Sequence, residues 1–260
     1  MDLIVKEIPK EATQALNLIK EVLDNQLVGV YLYGSAVTGG LRVKSDVDIL
    51  VLTNCGLSVA TRSKLSKQLM RISGRPGESR GIRPLEVTVV NQNDVVPWHF
   101  PPRFEFMYGE WLREQFEKGD IPGATVDPDL ALLLAQAERN SITLFGAGVE
   151  ETLEPIPWID IQRAMRDSLP GLIASVQGDE RNVILTLARM WYTASTSEFS
   201  SKYGAADWAI PQLPEEHAAL LDQARKAYLG EFVDNWEGKE KELTSLVEHL
   251  KASIEPLLFI

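Results

Sequence analysis

The stretch YGSAVTGGLRVKSDVDILVL, Tyr33 to Leu52, sets a glycine-serine turn ahead of two aspartates that stand one residue apart at the head of an apolar run. Asp46 and Asp48 are two positions apart at the start of a strand, so both side chains leave one face of a sheet, about 7 Å apart. Two ionised carboxylates this close raise each other's pKa unless a cation lies between them, and an all-oxygen donor set suits Mg²⁺. A third acid, Glu86, interrupts the apolar run PLEVTVV, with the polar Thr88 on its own face. If that strand adjoins the aspartate strand, three carboxylates converge. Gly34 lets backbone N–H groups and the Ser35 hydroxyl approach a phosphate closely. Each piece also has a plainer reading. The aspartates can open a strand at a surface turn, and Glu86 can be an exposed strand residue or an ion-pair partner of Arg83.

Working outward, Ala12, Ala15, Leu16, Ile19, Val22 and Leu23 fall at helical spacing within Glu11 to Leu23, and VGVYLY, Val28 to Tyr33, reads as a strand. Val47 to Thr53 is a second strand. Ser58 caps a helix to Ile72, SGRPGESRG is a loop, and Leu85 to Val90 is a third strand. Beyond the proline-rich VVPWHFPPR, helices are expected over Phe104 to Phe116 and Asp127 to Phe145, the latter capped by Asp127 and closed by Gly146, so the sheet is expected to be complete. The prolines of EPIP mark a hinge. Helical patterns follow at Trp158 to Leu169, Asp179 to Thr196, Pro214 to Leu229 and Lys239 to Leu258. The fold class is α+β: a sheet with flanking helices over 1–155, then an all-helical bundle over 156–260.

The chain has 260 residues and is 45% hydrophobic, enough for two modest cores. A net charge of −11 repels a nucleic-acid backbone, so nucleic acid is not an expected partner; metal ions and amine-bearing ligands suit an acidic surface. The single cysteine, Cys55, excludes an internal disulfide framework, and with no apolar leader at the start a cytoplasmic location is expected. No apolar stretch approaches the roughly 20 residues needed to cross a bilayer, and no membrane partner is expected.

Gly-Ser, ten intervening residues, Asp-x-Asp and a distant strand acid together resemble the signature of the nucleotidyltransferase superfamily related to DNA polymerase beta. The segments RPLEVTVV, VVPWHFPP, YGEWLR, DPDLALLLAQAERNSITLFG, GDERNVILTLARMWYT and LLDQARKAYLG extend the likeness over nearly the whole chain. They resemble the aminoglycoside adenylyltransferases that act on spectinomycin and streptomycin, and within that group the spectinomycin 9-adenylyltransferases. The resemblance implies transfer of AMP from ATP to a drug hydroxyl with release of pyrophosphate. It implies two Mg²⁺ ions at Asp46, Asp48 and Glu86, with Glu86 also the general base. It assigns Ser35, Ser45, Asp129, Arg189, Lys202 and Tyr228 to ATP, and Trp111, Asp179, Asn182 and Glu86 to the drug.

Guanidinium forks match phosphate oxygens, and a lysine point charge suits a departing pyrophosphate. Arg189 and Lys202 are otherwise solvated helix positions, and Tyr228, Trp191 and Trp208 otherwise core aromatics. Relatives that also accept streptomycin carry a further tryptophan and aspartate just before GDERN, where this chain has LPGLIASVQ. Spectinomycin alone is therefore the expected good substrate. The competing expectations are dual activity on both drugs and a catalytically silent nucleotide-binding protein of the same fold. A monomer is expected.

Overall fold

The structure is a computed structural model that describes residues 8–38, 40–41, 45–75 and 81–258. The loop expected over 73–81 therefore falls outside the described residues at 76–80, as do positions 39 and 42–44 of the opening stretch. The chain divides into two compact units between Ile156 and Pro157.

The first unit is built on a five-stranded sheet. Helix α1 (Lys10–Leu23) leads into β1 (Leu27–Tyr33), and one helical turn, α2 (Ser35–Thr38), precedes β2 (Val47–Thr53). Helix α3 (Val59–Ile72) is capped as expected, the Ser58 hydroxyl accepting from the Thr61 N–H at 3.0 Å, and leads to β3 (Leu85–Asn91). Strands β4 (Arg103–Phe104) and β5 (Phe106–Tyr108), helix α4 (Arg113–Glu117), strand β6 (Thr125–Val126), helix α5 (Leu130–Arg139), strand β7 (Ile142–Phe145) and helix α6 (Val149–Thr152) complete it. The strand order is β5-β3-β2-β1-β7; β2 and β3 run parallel, and the other neighbours antiparallel.

One sheet face, carrying Val30, Leu32, Ile49, Val51, Val87 and Val89, packs with Ala12, Ala15 and Ile19 of α1 and Leu65 and Leu69 of α3. Helices α5 and α6 pack on β1. Tyr31 is fully buried, its hydroxyl 2.7 Å from Thr152 Oγ1. With both faces covered, the central strands read as nearly unbroken apolar runs.

Two expected helices resolve differently. Phe104 to Phe116 is helical only from Glu110, as a 3₁₀ turn and then α4, because Phe104, Phe106 and Tyr108 bury at a period of two and the last two extend the sheet along β3. The pattern within Asp127 to Phe145 stops at Arg139, and Ile142 to Phe145 pairs with β1, so the sheet gains an edge on each side. Asp127 does not cap α5; its Oδ1 accepts from the Asp129 N–H at 2.9 Å, and Asp129 is the N-cap residue. Gly146 has the expected left-handed backbone (φ 88°), but it ends a strand.

The second unit is all helical: α7 (Trp158–Ala174), α8 (Glu180–Thr196), α9 (Lys202–Ala209), α10 (Glu215–Leu229) and α11 (Glu240–Leu258). Helix α8 packs on the other four and buries Val183, Ile184, Leu185, Leu187, Ala188, Met190 and Thr193. Helix α7 runs five residues past the expected Leu169, with Pro170 inside it. Among the described residues, no helix is long and apolar enough to cross a membrane.

The Ser58 cap makes a simple test of the local reading. Ser58→Ala is expected to lower unfolding stability by about 0.5–2 kcal/mol, seen in urea titration as a reduced midpoint with an unchanged slope.

Candidate active site

Pairing in the sheet sets the frame of the site. In β2 and β3 the second residue of each strand is the half-buried one among buried neighbours, and these two residues, Asp48 and Glu86, are direct partners in the parallel ladder. On the other side of β2, Asp48 is paired with Tyr33, the last residue of β1. One rung thus runs Tyr33, Asp48, Glu86. Asp46 lies two residues before Asp48, where Val47 N–H donates to Pro84 C=O at 2.9 Å.

The turn after β1 is shaped by Asp48. Gly34 has φ 67°, a conformation L side chains rarely adopt, and a Cβ added there would collide with Asp48 Oδ2. The carboxylate fills the notch that the glycine leaves. Ser35, half-buried, then opens the turn α2, in which the Val37 and Thr38 N–H groups donate to Gly34 C=O. Ser45 is buried, and its carbonyl accepts from Arg83 Nη1 at 3.3 Å, while the Arg83 N–H donates to the buried Glu11 carboxylate at 3.1 Å. These contacts brace the segment ahead of Asp46. Among the described residues, no group of three or more His, Cys, Asp and Glu side chains is gathered into a metal-binding cluster. The backbone fixes the adjacency of Asp48 and Glu86 and places Asp46 before them.

A half-open depression of about 250 Å³ is lined by Asp46, Pro84, Leu85, Glu110 and Trp111. Trp111, 59% exposed, sits in a 3₁₀ turn, Glu110–Leu112, and the residue before it is anchored from below. The Glu110 side chain is only 5% exposed. Its carboxylate accepts from Ser73 Oγ at 2.5 Å, Tyr108 hydroxyl at 2.6 Å, and Arg113 Nε and Nη2 at 2.6 and 2.9 Å. Arg113 also donates to Met70 C=O at 3.0 Å, and Ser73 Oγ accepts from the Leu85 N–H at 3.0 Å. The network therefore ties the Trp111 turn to the end of α3 and to the residue before Glu86. Burial pushes the Glu110 carboxyl up, but hydrogen bonds from Arg113, Ser73 and Tyr108 and the Arg113 charge outweigh it and hold the group below its ordinary value. Burial, and then the bond to Glu110, raise the Tyr108 hydroxyl.

Residues Glu110, Arg113, Tyr108 and Ser73 were not singled out from the sequence. The spacing of Glu110 and Arg113 on either side of Trp111 in YGEWLR was the available signal, a pair three apart that meets on one helical face.

In the second unit, Asp179, the N-cap residue of α8, accepts from Asn182 Nδ2 at 2.7 Å, and Asn182 Oδ1 lies 3.5 Å from Lys202 Nζ. Three of the expected site residues thus form one polar chain. Arg189 lies two helical turns beyond Asn182 on α8, and Tyr228 is half-buried on α10. Asp129 is exposed at the N-cap of α5. Trp191 and Trp208 meet edge to face at 5.1 Å between ring centroids, packing α8 on α9.

Known proteins share this arrangement. Residues 17–96 match the family described as polymerase beta nucleotidyltransferase, and residues 151–253 match the aminoglycoside adenylyltransferase C-terminal domain. A spectinomycin 9-adenylyltransferase of Staphylococcus aureus is 55% identical over 257 residues, 99% of each chain. The chain belongs to the aminoglycoside adenylyltransferase family. An aminoglycoside (3'')(9) adenylyltransferase of Escherichia coli is 38% identical over 96% of each chain. The crystal structure of a spectinomycin adenyltransferase from Enterococcus faecialis with ATP and spectinomycin aligns with a TM-score of 0.91 at 34% identity, covering 95% of this chain and 98% of that one. The α+β division is that of this adenylyltransferase family: a polymerase-beta-like sheet unit, then a helical one.

The Glu110 anchor gives this adenylyltransferase a defined acid sensitivity. Its carboxyl, at 4.5 in the unfolded chain, is lower when folded, so its stabilisation is complete above 4.5 and is lost as the pH falls through the folded value. The stability gap between wild type and Glu110→Gln, read by urea unfolding, is expected to be constant above 4.5 and to narrow as the pH falls below that value and through the folded one. A gap independent of pH would contradict the assignment.

Proposed function

We propose that this protein transfers AMP from ATP to the 9-hydroxyl of spectinomycin and releases pyrophosphate. The observation that carries the reading is the single rung of Asp48 and Glu86 beside the Gly34–Ser35 turn. The names of the S. aureus relative and of the structure solved with ATP and spectinomycin support the choice of substrates.

In this reading Glu86 accepts the proton of the drug hydroxyl as the hydroxyl oxygen bonds to the α-phosphorus. The bond from that phosphorus to the bridging oxygen breaks, and pyrophosphate leaves with its electron pair. Base assistance of this kind contributes about 10² to 10⁴-fold. Asp46, Asp48 and Glu86 are an all-oxygen set suited to Mg²⁺ and would hold two such ions; Asp48 is already seated in the notch of Gly34. When bound, Mg²⁺ supplies neutralisation of triphosphate charge and stabilises the attacking and leaving oxygens. Ser35 and Ser45 flank the acids on the nucleotide side, with Asp129. Arg189 and Lys202 supply cationic donors to the phosphates, and Tyr228 contacts the nucleotide.

On the drug side, Trp111 offers an exposed indole face, and Asp179 and Asn182 offer polar partners to a rigid frame bearing two secondary amines. The segment 169–177 contains neither tryptophan nor an acidic residue, so streptomycin's guanidinium groups find no stacking surface and no carboxylate there. Leaving a buried charge unpaired costs more than loss of apolar contact.

Incubation with ATP, Mg²⁺ and each drug, followed by mass spectrometry, tests the proposal. Spectinomycin is expected to gain one AMP, and streptomycin to react with a kcat/KM at least about 100-fold lower. Comparable transfer to both drugs would defeat the restriction, and transfer to neither would defeat the function.

A further inference from the structure

Gly109 carries no side chain for a reason other than backbone conformation. Its dihedrals, φ −157° and ψ 158°, are those of an extended strand that any residue adopts. A Cβ built there nevertheless collides with Trp111 carbons Cη2, Cζ3 and Cζ2, its three nearest atoms, so a side chain at this position requires the indole to shift. The benzenoid ring of the indole occupies the space.

The register shows where that space lies. Strand β5 pairs antiparallel with β3, Val87 opposite Tyr108, and both side chains enter the core cluster with α3. Tyr108 is the last paired residue of β5; carried one residue further, the same register points Gly109 toward the level of Glu86. Alternation puts the missing Gly109 side chain on the face that Glu86 occupies. The Trp111 indole, folded back over Gly109, lines the same depression as Asp46, Pro84 and Leu85, the residue before Glu86. Meanwhile Glu110, between the two, is fixed to Ser73, Tyr108 and Arg113. Its carboxylate accepts four hydrogen bonds, which uses the lone-pair directions a ligand would need, so it acts through the backbone and not on a substrate.

We propose that Gly109 is a specificity-determining position and Glu110 a positioning residue: the glycine leaves the gap in which the indole lies at the depression lined by Asp46 and Leu85, and the buried carboxylate holds the turn that presents it to a compact aminocyclitol. The ligand assignment rests on the function proposed above; the placement of the indole does not.

The test is Gly109→Ala, alone and combined with Trp111→Ala. Alone it is expected to raise the spectinomycin KM at least about 10-fold while the ATP KM stays within about 2-fold, since a misplacement near 1 Å can cost 10²-fold. In the Trp111→Ala background it is expected to add nothing, because both changes act through one side chain. A second readout needs no activity. The emission of Trp111, isolated as the difference between each protein and its Trp111→Phe counterpart, should change in wavelength and in quenching by acrylamide when Gly109→Ala is introduced. Should Gly109→Ala fold poorly, Trp111→Ala is expected to restore its thermal midpoint, as the added carbon then meets no indole. Additive effects on KM, an unchanged Trp111 emission, or an unrescued midpoint would overturn the proposal. A wild-type protein that leaves spectinomycin unmodified would remove the function instead, with the emission change still deciding the role of Gly109.

Discussion

The parallel pairing of β2 with β3 is the constraint from which the candidate site follows, because it sets Asp48 beside Glu86 in strands whose buried residues are apolar apart from Thr53 and Thr88. A slip of β3 by one residue against β2 would turn Val87 out of the core and drive Glu86 into it, so burial of the neighbouring residues enforces the alignment of the acids. The same pairing defines the turn after β1. Tyr33 meets Asp48 across the ladder, and the next residue must be small enough, and left-handed, to pass the carboxylate. The packing of the strands and the adjacency of the acids depend here on one register.

Around this rung the molecule divides its work between fixed and exposed groups. The Glu110–Arg113 pair is buried, multiply hydrogen-bonded and joined through Ser73 to the start of β3, which is the arrangement in which a buried charge is tolerated. Trp111, between the two in sequence, is mostly exposed. In the second unit, Asp179, Asn182 and Lys202 form a comparable polar chain at the head of α8, the helix that packs on all the others. In both units the groups assigned to substrates stand on elements whose opposite sides are locked into a core.

Much of this was legible in the residues. Long periodic helices, the Ser58 cap and the three central strands left unambiguous patterns, and the interruption of apolar strands by Asp48 and Glu86 marked the candidate site. The sheet edges did not read correctly. Phe104, Phe106 and Tyr108 alternate over too few residues to outweigh a helical pattern that includes Phe116, and Ile142 to Phe145 continues an apolar run that is helical up to Arg139. Edge strands this short are chosen by the neighbour they pair with, which lies far away in sequence. The Glu110 anchor was hidden for the same reason: Ser73 and Tyr108 reach it only once α3 and β5 are side by side. Nothing in the residues alone marks Gly109; the indole folded over it shows that its small size has a use.

The central claim is that the Asp48–Glu86 rung performs the chemistry, with Glu86 as the base. The most direct measurement is single-turnover AMP transfer to spectinomycin by Glu86→Gln, alongside calorimetric titration of the same variant with ATP and Mg²⁺. The account predicts a rate reduced by about 10² to 10⁴-fold with ATP affinity largely retained. A near-normal transfer rate in that variant would contradict it.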